Sequence, residues 1–79
     1  MSSEHLAKEA ARLKSDPIFD KALSDIRADA LNALVGVDAD NYTAVVRLQQ
    51  KVVVIDEIRN ALDRYIIAAD VQEQAGSFA

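Results

Sequence analysis

The chain has 79 residues and no cysteine, and its thirteen acidic residues against nine basic ones give a net charge of −4. A chain of this size forms one domain that buries little surface, so it usually needs a covalent staple or a partner to be stable. The lack of cysteine excludes disulfides and thiolate chemistry, and the acidic balance argues against a free-standing nucleic-acid-binding protein.

The composition favours helices. Hydrophobic residues make up 51% of the chain, whereas glycine occurs twice and proline once, which is typical of a helix-rich protein with few turns. No apolar stretch is long enough to span a bilayer, and the first residues lack the basic and apolar regions of a signal peptide. We therefore expect no membrane contact and a place in the cytoplasm of a bacterium or a phage-infected host, or in a virion.

Two helices are predicted in the N-terminal half, from about residue 3 to 14 and from residue 17 to about 35. Pro17 separates them, because proline disfavours the helical conformation in the residue before it and suits the first position of a new helix. Asp16 is the expected N-cap of the second helix. Gly36 is expected to end that helix in the left-handed conformation.

One long helix is predicted from about residue 40 to 74, because this stretch contains neither glycine nor proline. Asp38 or Asp40 is its expected N-cap. The β-branched run 51–55 is typical of a strand in isolation, but helical spacing continues on both sides, so we favour the helix. Residues 75–79 are expected to form a flexible tail.

Apolar residues recur along the long helix in alternating steps of three and four, the heptad pattern of helices that pack side by side. This seam consists of Val45, Leu48, Val52, Ile55, Arg59, Leu62, Ile66 and Ala69. Arg59 interrupts it, and a charge there must reach water or pair with a carboxylate across the interface. The predicted fold is all-α, an antiparallel helical hairpin broken at Pro17, coiled-coil-like and oligomeric, forming a single domain over residues 1–79.

The long helix has more apolar surface than one neighbour can cover. Outside the seam lie Val46, Val53 and Ile67 on a different side, and a strip of Val54, Ile58, Ala61, Tyr65 and Ala68 beside the seam. These residues could be ordinary exposed aliphatics, but their clustering favours cover by a second copy or another helical protein, most simply in a four-helix dimer. The predicted oligomer interface is Val45, Val46, Leu48, Val52, Val53, Ile55, Ile58, Arg59, Leu62, Tyr65, Ile66 and Ile67.

The sequence contains few residues that could form a catalytic or metal-binding site. His5 is the only histidine, so no metal set and no pairing of a nucleophile with a base can be assembled, and we expect neither an enzyme nor a cofactor. Lys8, Arg12, Lys14 and Arg47 are the candidate phosphate contacts for nucleic acid. The alternative for these four residues is a solvated face balanced by neighbouring acids, which the net charge favours.

Three segments of the chain resemble small helical proteins of tailed bacteriophages and prophages, which are commonly found among the packaging and head-assembly genes. The segments are Asp16-Pro17-Ile18-Phe19-Asp20-Lys21-Ala22-Leu23, Arg47-Leu48-Gln49, and Asp56-Glu57-Ile58-Arg59-Asn60-Ala61-Leu62. The resemblance covers about residues 10–66 and implies a role in virion assembly or DNA packaging, with the long helix as the assembly surface. It implies no catalytic residue.

Two other functions stay open at this point. One is a nucleic-acid-binding packaging subunit similar to a small terminase, although the hairpin leaves no room for the helix-turn-helix domain of phage DNA-recognition subunits. The other is a regulatory partner that binds a helical groove on another protein.

Overall fold

The computed structural model describes the backbone of residues 2–76 and the side chains of residues 2–70. Over this range it contains three α-helices and no strand: α1 (Ser3–Ser15), α2 (Pro17–Gly36) and α3 (Tyr42–Gly76). α1 and α2 both pack along α3, whereas they contact one another little. The predicted all-α fold is therefore confirmed, and the packing is that of a hairpin whose first arm consists of two helices.

The break between α1 and α2 is built from Asp16 and Pro17. Asp16 has an extended backbone, with φ −74° and ψ 116°, and it ends α1 and caps α2 at once. Its Oδ1 accepts hydrogen bonds from the backbone N–H groups of Ile18 at 2.8 Å and Phe19 at 3.1 Å. Pro17 takes the first helical position, where a missing N–H leaves no bond unmade. The break and its cap are confirmed as the sequence predicted.

Gly36 ends α2 in a different way from the one predicted. It is the last helical residue, and no glycine in the described part of the chain has a positive φ. The chain instead leaves the helix through Val37, which is extended at φ −80° and ψ 143°. A left-handed residue is therefore not needed at this helix end, and the prediction of one was wrong.

Asn41 is the N-cap of α3. Its Oδ1 accepts a hydrogen bond from the backbone N–H of Ala44 at 3.2 Å. The expected caps Asp38 and Asp40 lie three residues and one residue too early, because the carbonyl of Asp38 closes a tight turn by accepting from the N–H of Asn41 at 3.0 Å. The turn thus delays the start of the helix to Tyr42.

α3 is helical as far as Gly76, the last residue whose backbone the structure describes, and so extends past the end predicted near residue 74. The β-branched run 51–55 lies inside α3 and is helical, so the strand alternative is wrong. The run adopts the helical conformation of the segments on both sides of it, because the seam can be buried only if the helix continues through the run. The end of the predicted tail, residues 77–79, lies outside the described residues.

The core is thin. The buried apolar residues in the described part of the chain are Ala10 from α1, Leu23 and Ala30 from α2, and Ile55 and Leu62 from α3. The radius of gyration is 17.3 Å, whereas a compact chain of this length would have one of about 12 Å. The molecule is a rod of 59 × 24 × 18 Å, with one line of buried side chains between its two arms.

Replacing Gly36 with alanine is expected to raise the free energy of unfolding by about 0.5–1 kcal/mol. Alanine loses less backbone entropy on folding than glycine, and a Cβ placed on Gly36 meets no atom within 4 Å. Urea unfolding followed by circular dichroism measures the change. A loss of stability would mean that Gly36 adopts the left-handed conformation after all.

Candidate interaction surface

The seam of α3 faces the chain's own N-terminal helices. Ile55 and Leu62 are only 5% and 9% exposed, and the other apolar seam residues are half-buried. These half-buried residues are Val45, Leu48, Val52, Ile66 and Ala69. The predicted oligomer interface includes Ile55 and Leu62, but these two side chains are buried within one chain by α1 and α2.

Arg59, the charge in the seam, is also neutralised within the chain. Its Nη2 donates hydrogen bonds to Oγ of Ser24 at 2.8 Å and to Oδ1 of Asp20 at 3.2 Å. Both acceptors lie on α2. The predicted pairing with a carboxylate is therefore present, but it joins the two arms of one hairpin and not two copies.

Three ion pairs tie α3 to the N-terminal arm along one edge. Arg27 of α2 donates to Asp56 at 3.0 and 3.5 Å, and Lys14 of α1 pairs with Asp63. Together with Arg59, the residues Asp56 and Asp63 form what we call the ion-pair edge of α3. Pairs this exposed contribute at most about 1 kcal/mol each, so their main effect is to fix the register of the hairpin.

The opposite edge of α3 is apolar. Val54 precedes the buried Ile55 and Asp56 follows it, so at about 100° per residue they lie on opposite sides of it. Ala61 and Asp63 flank the buried Leu62 in the same way. The strip predicted from the sequence therefore runs along the side of the hairpin that faces away from the ion-pair edge.

α2 extends this apolar surface. Ile26 lies beside Val54 and Ile55 in an open groove of about 280 Å³, whose rim carries Arg47 and Lys51. Val54 is 49% exposed and Ile26 is 48% exposed, whereas Ile58 is half-buried. We call this surface the apolar edge. It comprises Ile26, Val54, Ile58, Ala61, Tyr65 and Ala68.

Helical spacing alone does not fix the face of α2 on which Ile26 lies. Its spacing from the buried Leu23 could not separate the inner face from the side of the helix, since a step of three residues turns the chain by about 300°. The remaining predicted interface residues, Val46, Val53 and Ile67, lie on a third side of α3. Val53 and Ile67 are more than half exposed there, and Asn60 interrupts their row.

The candidate phosphate contacts do not form one patch. Arg12 pairs with Glu9 at 2.8 Å, and Lys14 is paired with Asp63. Arg47 lies about 24 Å along the α3 axis from Asp63, and hence from the Lys14 end of the molecule. The structure separates Arg47 from the α1 cluster, since the antiparallel arms place α1 against the other end of α3.

Two ion pairs lie within single helices, and each shifts the pKa of one residue. The hydrogen bond and charge of Arg12 lower the pKa of Glu9, and those of Asp25 raise the pKa of Lys21. The Glu9 pair therefore stabilises the fold above the ordinary carboxylate pKa and is lost as the pH falls. The Lys21 pair stabilises it below the ordinary lysine pKa and is lost as the pH rises. Both pairs are solvent-exposed, and neither joins two helices.

A hollow of about 210 Å³ lies where the break at Pro17 meets α3. Phe19, Leu23 and Leu62 form its apolar lining, and its two cations face two carboxylates of the same chain. Binding sites for small molecules usually have volumes of about 300–1,000 Å³. The hollow is therefore small for a ligand and presents no net charge to one.

Within the described residues, no group of three or more His, Asp or Glu residues is placed to hold a metal ion, and no helix is long and apolar enough to cross a membrane. No protein-family model matches the sequence, and neither a curated protein nor a solved structure matches the chain. The functional interpretation therefore depends on the geometry of the hairpin and above all on its apolar edge.

Proposed function

We propose that this protein is a non-enzymatic structural subunit that self-associates through its apolar edge. The observation that carries the proposal is the division of α3 into two unlike edges. One edge is joined to the N-terminal arm by ion pairs, and the other presents a continuous row of apolar side chains to the solvent. Because these large side chains are at most about half exposed in one chain, covering each of them stabilises an assembly by about half of the roughly 1.5–3 kcal/mol gained on full burial.

The exposed area supports a second copy as the partner. The chain exposes 6004 Å², whereas a compact monomer of 8.6 kDa would expose about 4,700 Å². The excess of about 1,300 Å² is larger than the roughly 800 Å² that each partner buries in a standard interface. Association of two rods side by side would bury part of this excess without any change in either hairpin.

The biological setting within this proposal is the assembly of a phage head or the packaging of its DNA, in the cytoplasm of the host or in the virion itself. This setting follows from the resemblance of the three segments described above. A further helical protein of the same particle would be the natural second partner. Nucleic-acid binding is not part of the proposal, because Arg12 and Lys14 are paired with carboxylates and the net charge is −4.

Replacing Val54 with lysine is expected to weaken self-association at least about tenfold, since a charge would have to be buried in the interface. The matched control is Val53→Lys, because Val53 is the preceding residue, is similarly exposed at 53% against 49%, and faces another side of α3. Sedimentation equilibrium at micromolar concentration measures both variants, and circular dichroism checks that each is still helical.

The proposal requires the wild-type chain to be a dimer or larger and the Val53→Lys variant to associate like it. A well-folded wild-type monomer would contradict self-association itself. Equal weakening by both substitutions would contradict the choice of the apolar edge over the side that carries Val53.

A further inference from the structure

We infer that the second copy packs on the apolar edge in an antiparallel orientation and in one register, in which Glu57 of each chain faces Arg64 of the partner subunit. The inference rests on the proposed function. It goes further, because it specifies which way the partner points and which side chains meet. It follows from the order of residues along the apolar edge and from the charges beside it.

The apolar edge of α3 is itself a heptad seam. Val54, Ile58, Ala61, Tyr65 and Ala68 follow one another in alternating steps of four and three, the pattern by which two helices interlock side chains over a long contact. The first seam is covered by α1 and α2, so this second seam is the one open to another long helix. The same steps continue toward the N-terminus of α3 to Lys51 and Arg47.

These two cations decide the orientation. In a parallel pair Lys51 would lie beside Lys51 of the partner subunit, and Arg47 beside Arg47 of the partner subunit, so that like charges would meet twice. In an antiparallel pair both cations instead approach the C-terminal part of the partner's α3. The carbonyl groups at that end of a helix carry partial negative charge and attract cations.

The charges beside the seam decide the register. Glu57 and Arg64 are exposed, lie seven residues apart, and flank the seam on the side away from α2. In antiparallel coiled coils such flanking residues pair with each other across the interface. One register places Glu57 opposite Arg64 of the partner subunit, and the two-fold symmetry forms this pair twice.

Neighbouring registers differ from this one by a heptad. Sliding the partner by one heptad in one direction places Glu57 opposite its own copy, and sliding it in the other direction places Arg64 opposite its own copy. Like charges in these positions destabilise the pair. Opposite charges therefore stabilise the complementary register, and like charges destabilise each of the two neighbouring registers. Interfaces with a defined register commonly combine these two effects.

The same register gives the longest contact. Its two-fold axis crosses α3 near Asn60, which is close to the middle of Tyr42–Gly76, so the two long helices overlap over their whole length. Asp20 and Ser24 contact Arg59 at this height, so the axis crosses α2 near Ala22. The small, exposed Ala22 allows the two α2 helices to approach, which completes a four-helix bundle.

The charge pair is tested by reversal. Glu57→Arg alone and Arg64→Glu alone are each expected to raise the dissociation constant about tenfold, because two exposed attractions become two repulsions. The double variant Glu57→Arg/Arg64→Glu restores the attraction and is expected to associate within about twofold of the wild type. Sedimentation equilibrium at low salt measures all four proteins, and circular dichroism confirms that each is folded.

The orientation is tested with spin labels, for which the absence of cysteine from the chain is convenient. Gln49→Cys and Asn60→Cys place single labels on exposed positions off the apolar edge. An antiparallel dimer puts the two labels at residue 49 about 30 Å apart along the axis and those at residue 60 level with each other. A parallel dimer gives similar distances at both positions.

The outcomes separate this inference from the proposed function. If the two label positions give equal distances, or if the charge reversals leave the dissociation constant unchanged, the antiparallel register is wrong. Self-association itself would still hold in either case. A wild-type chain that stays monomeric overturns both. Weakening by each single reversal, rescue by the double variant and a long distance at residue 49 together establish the antiparallel register.

Discussion

Replacing Leu62 with alanine is expected to lower the free energy of unfolding by about 3 kcal/mol. Leu62 is 9% exposed and is one of the three large side chains in the buried line, with Leu23 and Ile55. Removing it leaves a cavity that a rod-shaped molecule with so thin a core has few side chains to fill. Small domains have little stability in reserve, so a substantial unfolded fraction is expected at room temperature.

The matched control is Leu31→Ala in α2, where the same side chain is 40% exposed. Its expected loss is smaller, about 1 kcal/mol, since much of its surface stays in water in the folded chain and its removal leaves no enclosed cavity. Urea unfolding at one fixed protein concentration measures both variants. Similar losses at the two positions would mean that Leu62 does not lie in the core that the structure describes.

The local features of the fold could largely be predicted from the sequence. The break at Pro17 and its Asp16 cap depend on neighbouring residues alone, and the structure confirms them. The start of α3 could not be fixed in the same way. Asp38, Asp40 and Asn41 all have side chains that cap helices well, and the tight turn of the connection decides among them.

The seam and the apolar edge could be predicted as patterns, but what covers the seam could not. Heptad spacing identifies a stripe without saying whether the neighbour belongs to the same chain. The cross-helix ion pairs were missed for a related reason. Arg27 and Asp56 are 29 positions apart in the sequence, and Lys14 and Asp63 are 49 apart. Only the register of the hairpin brings them together, and that register results from packing along the whole length of α3.

The stability of the wild-type chain is expected to depend on its own concentration. If two hairpins share the apolar edge, association and folding are linked, and more protein shifts the equilibrium toward the folded assembly. For a dimer, a hundredfold rise in concentration contributes about 1.4 kcal/mol per chain, which raises the melting temperature of a domain this small by roughly 6–10 °C. Thermal unfolding followed by circular dichroism in cells of different path length measures the shift.

The variants introduced above give this measurement its control. Val54→Lys is expected to shift the concentration dependence to protein concentrations at least about tenfold higher, because its self-association is weakened by that factor. Val53→Lys is expected to keep the wild-type dependence. A wild-type melting temperature that is constant over the whole range would mean that the thin core suffices by itself, and the exposed apolar edge would then need another explanation. A shift of this dependence in Val54→Lys but not in Val53→Lys would show that the stability of the hairpin depends on the apolar edge.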